Sequence, residues 1–382
     1  MTDPSDPIAA VTHPDPYPWY ARLVAERPVY RDLKHGFWVV ASAEAVTAVL
    51  TNADCRVRPV DEPVPAALLD SPAGDIFERL VRMNDADAHR PIRQTVAATL
   101  EGVDLERVAE LSRQWAGRLV EAQADVAFDL SVHVLGSLLG IPDDRLRQTA
   151  DWLGDFVRCL APASTPEQME RGRRAAGYLR ELFQSLLASP GSGLLGVLAT
   201  EAQRVRCDDI DSVVANGIGF LSQAYEATAG LIGNALLALA ADTELRRRLS
   251  GEPALIESVL LEVLRYDPPI QNTRRFVAVD TIVAGQPMCA GDAILIVLAA
   301  ANRDPTVNPN PDRFDIDRPN RHTFSFGAGA HACPGSTIAV TIARAGVEAL
   351  LAAGVSPDGP TNYRSSVNVR LPVMDWNRSK ER

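Results

Sequence analysis

A mainly α-helical fold with small β-sheets is predicted for this chain, on three observations. Apolar residues recur at helical spacing almost without a break from residue 89 to about residue 270. Two stretches, 29–41 and 274–298, instead carry β-branched and aromatic residues around turns that contain glycine. A helix of small residues then runs over about 336–353. At 382 residues, 46% hydrophobic and 23% charged, the composition is that of a globular protein with ample chain for a large core. No repeat or linker divides it, so residues 1–382 read as a single domain.

Taken in order, residues 16–26 form a short amphipathic helix with Trp19, Leu23 and Val24 on one side. Residues 29–32 and 37–41 are strands around a Lys34-His35-Gly36 turn, and Ser42 caps a helix ending at Leu50. Residues 56–84, with Pro59, Pro63, Pro65 and Pro72, read as a long irregular segment. Helices punctuated by Pro142, Pro162, Pro166 and Pro190 follow. The longest, 208–241, is apolar nearly all round and is expected to be buried. Another, 254–266, is stopped by Asp267-Pro268-Pro269. Strands turn at Ala284-Gly285 and Ala290-Gly291, and residues 301–321, rich in Pro, Asn and Asp, form a meander.

Charge and rare residues exclude several functions. Thirty-eight Lys and Arg against 49 Asp and Glu give a net charge of −11, which disfavours nucleic acid as a partner. Lys34 and Lys380 are the only lysines and no Gly-Lys pair exists, so there is no phosphate-cradling loop. Five unpaired-looking cysteines, at 55, 159, 207, 289 and 333, indicate neither a zinc knuckle nor a disulfide framework and fit a reducing cytoplasm. The N-terminus lacks the basic and apolar regions of a signal peptide. The apolar run 227–241 falls short of a bilayer span, and no membrane association is expected.

Four cysteines read as small buried hydrophobes. Cys333 does not. It lies among Gly327, Gly329 and Gly335 just before a helix, where glycines permit positive φ and where a helix N-terminus favours a thiolate. Phe326, Gly329, Cys333 and Gly335 match F-x-x-G-x-x-x-C-x-G, which resembles the haem-binding signature of the cytochrome P-450 superfamily. Glu262-Val263-Leu264-Arg265 matches that family's E-x-x-R, with Pro311-Asp312-Arg313-Phe314 at its meander position as the expected third member of the network. Asn302-Arg303-Asp304-Pro305 and the opening Asp15-Pro16-Tyr17-Pro18-Trp19 are also similar to bacterial members, so the resemblance spans the chain.

The resemblance implies one triangular P-450 domain holding haem b between the 208–241 helix and the helix after Cys333, with Cys333 as the iron ligand. His89 and Arg93 match H-x-x-x-R and, with Arg275 and His331, are implied to bind the haem propionates. Phe326, Gly327 and Gly335 would shape the cofactor loop. Thr323 stands where many bacterial members have a His, which leaves one propionate contact open.

On the long helix, Gln223-Ala224-Tyr225-Glu226-Ala227-Thr228-Ala229-Gly230 resembles A-G-x-[DE]-T-T. Phe220, Ala224, Ala227 and Thr228 share a face whose small residues would leave room for dioxygen beside the cofactor. The acid is kept as Glu226. The alcohol that normally follows is Ala227, and a hydroxyl returns only at Thr228. Glu226 and Thr228 are the expected proton-handling residues. The expected function is a monooxygenase acting on a small-molecule substrate, a natural-product intermediate, monomeric and cytoplasmic. A separate ferredoxin with an NAD(P)H-dependent reductase would supply electrons. Ala227 keeps a rival open within the fold: peroxide-driven oxidation, oxidative coupling or rearrangement. A haem sensor or carrier is the rival from another class.

Overall fold

The computed structural model describes residues 2–161, 164–189, 191, 193–207, 209–355 and 362–374. Pro162, Pro190, residue 208 and Lys380 lie outside them. In chain order the elements are α1 (Tyr17–Glu26), β1 (Val29–Asp32), β2 (Phe37–Val40), α2 (Ala43–Leu50), β3 (Cys55–Arg56), α3 (Pro72–Arg79), α4 (Ala86–Glu101), α5 (Leu105–Glu121), α6 (Val126–Leu139), α7 (Asp143–Cys159), α8 (Pro166–Leu187) and α9 (Gly193–Arg204). Then follow α10 (Ile210–Ala241), α11 (Thr243–Gly251), α12 (Ile256–Tyr266), β4 (Thr273–Val277), β5 (Thr281–Val283), β6 (Gln286–Met288), β7 (Ala293–Ile296), α13 (Leu298–Ala301) and α14 (Ser336–Ala352). The mainly helical class with small sheets is thus observed.

The chain forms two compact units. The first joins the residues up to Pro59 with those from Glu226 onward, and the second is Val60–Tyr225. In the first, a mixed sheet of order β1-β2-β7-β4-β3 brings the N-terminal hairpin beside strands far along the chain. Trp38, Val39 and Val40 of β2 run parallel to Ile294, Leu295 and Ile296 of β7. Alternate side chains face opposite sides. Val40, Ile294 and Ile296 therefore pack with α2, while Val39, Leu295 and Val297 pack with Tyr20 and Leu23 of α1. The hairpin turn is closed at Gly36, whose φ of +75° suits a residue without Cβ.

The ends of this unit are tied together. Arg370, almost wholly buried, donates to the carbonyls of Val11, His13 and Pro14 and pairs with Asp267 at 2.9 Å. Burial works against its charge, but Asp267 and the neighbouring tyrosines hold its pKa above the ordinary arginine value. The segment carrying it lies on α10: a Cβ on Gly230 would come within 2.6 Å of Pro269 and 3.1 Å of the Arg370 carbonyl. Glycine at 230 is what lets this backbone approach.

In the second unit α5 to α8 pack in succession on buried apolar faces that include Leu146, Leu153, Leu179 and Phe183. Here the segment 56–84 departs from the expected loop. Ser71 caps α3 by accepting from the Gly74 N–H, and Pro72 occupies the first helical turn, where its missing N–H costs nothing. Two further differences concern single features. Cys289 is exposed and Cys207 half-buried, so only Cys55 and Cys159 behave as buried thiols, with burial raising both to about 11. And α10, longer than its apolar run, is long and apolar enough to cross a membrane, although 56% of its most apolar stretch is buried within the fold.

Candidate active site

Three glycines and two backbone hydrogen bonds shape the loop that carries Cys333. Gly327 and Gly329 adopt φ of +70° and +65°. The Gly327 N–H donates to the Phe324 carbonyl at 2.7 Å, and the Cys333 N–H donates to the Phe326 carbonyl at 2.8 Å, closing the loop on itself. A Cβ at Gly329 would stand 2.7 Å from the Leu50 carbonyl, so the loop rests directly on the end of α2. Cys333 is exposed and in no disulfide, and Gly335 stands immediately before α14. Phe326, Gly327 and His331 are half-buried around it.

A buried network fixes this loop from below. Glu262 and Arg265, one helical turn apart on α12, form an ion pair at 2.7 Å with both side chains inaccessible to solvent. Arg265 also donates to the carbonyls of Pro311 and Arg313, and Glu262 accepts from Arg321 at 2.8 Å and from the Asp315 N–H. The third charged member is therefore Arg321, assisted by Arg318 at 3.5 Å, and not the side chain of Arg313, which contributes its carbonyl while its guanidinium is exposed. The E-x-x-R spacing locates the pair, but its partner depends on how the meander folds back. Burial tends to raise the Glu262 pKa, but hydrogen bonds from Arg265 and Arg321 hold it below the usual carboxylate range. From α12, Asn302 carries the constraint onward: it donates to the Leu264 carbonyl and accepts the Phe324 N–H at 2.6 Å, two residues before Phe326. Thr323 donates to the same Leu264 carbonyl and so is part of this scaffold.

Along α10 the burial pattern changes abruptly. Residues 213–219 and 228–236 are buried, whereas Gln223 is exposed and Ala224, Tyr225, Glu226 and Ala227 are half-buried. The middle of a core helix is thus left uncovered by protein at the segment that carries the expected acid. Thr228 is sealed from solvent, and its Oγ1 has no hydrogen-bond partner among the described residues. Tyr225 turns toward α6 and α7, its ring tilted against Phe128 at 5.0 Å and its hydroxyl 2.9 Å from where a Cβ of Gly154 would be.

The basic residues divide between the units. His89, buried, and Arg93, half-buried, lie one turn apart on α4 in the second unit. Arg93 makes no hydrogen bond or ion pair among the described residues. In the first unit Arg275 is buried on β4 and donates to the Arg274 carbonyl at 2.8 Å. Arg274 was not singled out by pattern. It points to the opposite face of the strand, has no side-chain partner among the described residues, and its pKa is lowered by the protein around it. Its only signal in the sequence is its place beside Arg275.

These features suit haem b. An exposed thiol on an open glycine loop offers iron one soft ligand. No three His, Cys, Asp or Glu side chains among the described residues converge as a metal cage. Half-buried Arg93, lacking an anion, and buried Arg275 are cations fitted to carboxylates, as the propionates are.

Comparison with known proteins agrees. Residues 212–353 match the family model described as cytochrome P-450. Among solved structures, CalO2 superimposes with a TM-score of 0.84 at 28% identity, covering 98% of this chain and 97% of that one. A second, P-450 BioI in complex with a hexadec-9Z-enoic acid ligated acyl carrier protein, gives 0.81 at 25% identity, over 94% and 97%. The cytochrome P-450 monooxygenase PikC of Streptomyces venezuelae is 31% identical, over 96% of this chain and 92% of its own length. A relative of that identity, matched over nearly the whole of both sequences, shows that this chain belongs to the cytochrome P-450 family, the haem b-containing monooxygenases.

Proposed function

We propose that this protein, as one domain over residues 1–382, oxidises a small functionalised natural product by inserting one oxygen atom from dioxygen, with Cys333 as the thiolate ligand. The observation that carries this reading is the exposed Cys333 thiol at the end of a loop that Asn302, Leu50 and its own backbone hydrogen bonds hold rigid. Bound haem b supplies the oxygen activation and the oxidising power.

The chain's own residues orient and guard that chemistry. His89, Arg93, Arg275 and His331 bind the propionates. Phe326, Gly327 and Gly335 would let the thiol loop hold the cofactor, and the small side chain of Ala224 would leave room for dioxygen. Glu226 handles protons, and because Ala227 lacks a hydroxyl, ordered water or a substrate hydroxyl, rather than Thr228, completes the path between Glu226 and the reacting centre. Electrons come from a separate ferredoxin and its NAD(P)H-dependent reductase, and the protein acts as a cytoplasmic monomer. The enzyme names of the relatives weigh against a sensor or carrier. Ala227 favours a second reading, in which the same site performs peroxide-driven oxidation, oxidative coupling or rearrangement.

Reduced protein treated with carbon monoxide tests the assignment. The far red-shifted Soret band of a thiolate-ligated haem is expected, and Cys333→Ala should lose it. Persistence of the band in Cys333→Ala, with its loss in another cysteine variant, would overturn the role of Cys333.

A further inference from the structure

A cleft of about 400 Å³ lies wholly within the first unit, between the last turns of α10, the end of α12, the meander and the C-terminal segment. Leu237, Ala238, Val263 and Phe314 give it apolar walls, Tyr266 and Tyr363 add aromatic ones, and Asn234 and Asp267 are its polar members. That volume is in the range of small-molecule sites. Asn234 stands eight residues beyond Glu226, about 12 Å further along the helix axis. No lining residue takes part in the chemistry proposed above.

The walls are already fixed. Asn234 Nδ2 donates to the Asp267 carbonyl at 2.9 Å, joining α10 to the end of α12. The Tyr266 ring meets Phe314 edge-on at 5.3 Å, and Tyr363 is bridged to Pro372. Yet one group in the wall is unsatisfied. Asn234 is 2% exposed, and its Oδ1 has no hydrogen-bond partner among the described residues. The bond from Nδ2 to a carbonyl, which can only accept, decides which end of the amide is the oxygen. A buried acceptor left without a donor is costly, and a ligand's N–H or O–H would recover that cost.

The charges present select a neutral ligand. Asp267 already gives a carboxylate oxygen to Tyr17 and Arg370. Arg303 and Arg370 each lie 3.6 Å over a ring, that of Tyr266 and that of Tyr363 respectively. A cationic ligand would therefore meet two guanidinium groups and no uncompensated carboxylate.

We propose that this cleft binds a flat, neutral aromatic molecule of one or two rings that donates one N–H or O–H to Asn234 Oδ1, as a regulator separate from the substrate. Val263 adjoins Glu262, and Phe314 stands between Arg313 and Asp315, whose backbone groups bond to Arg265 and Glu262. A ligand packed on Val263 and Phe314 braces the network that fastens the thiol loop and so slows haem loss. The binding site stands apart from the haem reading, while the effect on haem rests on it.

The test uses the haem-loaded protein with saturating 1-phenylimidazole, which ligates the iron and blocks the oxygen side. 5-Fluoroindole is compared with 5-fluoro-1-methylindole, which keeps the rings and lacks the N–H, and binding is read by fluorine NMR. The first should bind roughly 5- to 10-fold more tightly, as one neutral hydrogen bond allows. Asn234→Leu should erase that difference. Ala238→Phe, which fills the cleft, should weaken both by about tenfold or more while its reduced carbon monoxide complex keeps the parent's Soret band, and this arm decides if Asn234→Leu does not fold. Saturating 5-fluoroindole should slow haem transfer to apomyoglobin by roughly two- to fivefold. Equal affinity for the two indoles, undiminished binding in Ala238→Phe, tighter binding of the cationic 5-fluorotryptamine, or displacement of 5-fluoroindole by 1-phenylimidazole overturns the proposal. An unchanged transfer rate overturns its regulatory part. A parent protein without the thiolate Soret band overturns the haem reading instead, and the indole titration without 1-phenylimidazole then still decides the cleft.

Discussion

Glu262 and Arg265 are joined by three hydrogen bonds of 2.7–3.1 Å, and neither side chain reaches solvent. Two charges placed there are tolerable because further partners surround them: Arg321 and the Asp315 N–H donate to Glu262, and the carbonyls of Pro311 and Arg313 accept from Arg265. The pair is thus the point at which α12, the meander and the thiol loop are fastened together.

Glu262→Ala removes the acceptor and leaves Arg265 and Arg321 buried without an anion. A loss of about 3–5 kcal/mol is expected, read by guanidinium unfolding, together with a low ratio of Soret to protein absorbance. The carboxyl also sets a pH limit. Its folded pKa is depressed, so its stabilisation is present above the unfolded value of about 4.3 and is lost as pH falls through the lower folded value.

Gly329→Ala tests the seat of the loop. The new methyl would meet the Leu50 carbonyl at 2.7 Å while φ stays positive. Loop displacement with a cost of about 1–3 kcal/mol is expected. Faster haem transfer to apomyoglobin measures it, and a transfer rate equal to the parent's would show that the loop does not need this contact.

The hydroxyl of Thr228 is buried without a partner among the described residues. Thr228→Val should therefore leave stability unchanged or raise it by about 1 kcal/mol. Product formed per NADH consumed should hardly change, because the missing alcohol position is 227. Ala227→Thr should improve that ratio for substrate analogues lacking a hydroxyl. A collapse of coupling in Thr228→Val would instead make Thr228 the proton donor.

Asp129 gives a pH effect away from the site. Burial pushes its carboxyl up to about 6, Asp125 and Asp151 add to this, and Arg147 opposes it. Its folded pKa lies above the unfolded one, so its favourable contribution is complete below about pH 4 and disappears as pH rises through about 6. Asp129→Asn should gain roughly 2–3 kcal/mol on the parent between pH 4 and 8, measured by urea unfolding at several pH values.

Local chemistry made much of this molecule legible in the sequence. The β1–β2 hairpin follows from alternation about Gly36, the Ser42 cap from its side chain, and Cys333 from the spacing of its glycines. What the sequence hid depends on tertiary approach. The prolines of residues 56–84 masked α3, although Ser71-Pro72 is itself a helix-start signal. Arg321 joins Glu262 across 59 residues, a pairing no spacing rule announces.

The discontinuity of the first unit has a consequence for biosynthesis. β2 leaves the ribosome about 250 residues before β7, the strand it must pair with. At roughly 5–20 residues per second this is a wait on the order of 10–50 s. Residues 60–225, contiguous in sequence, are complete well before it ends. During that interval the nascent hairpin Val29–Val40 carries an open edge along Trp38, Val39 and Val40. Such an edge is a template for pairing with another chain, which makes the N-terminal hairpin the segment of the nascent protein most in need of a chaperone.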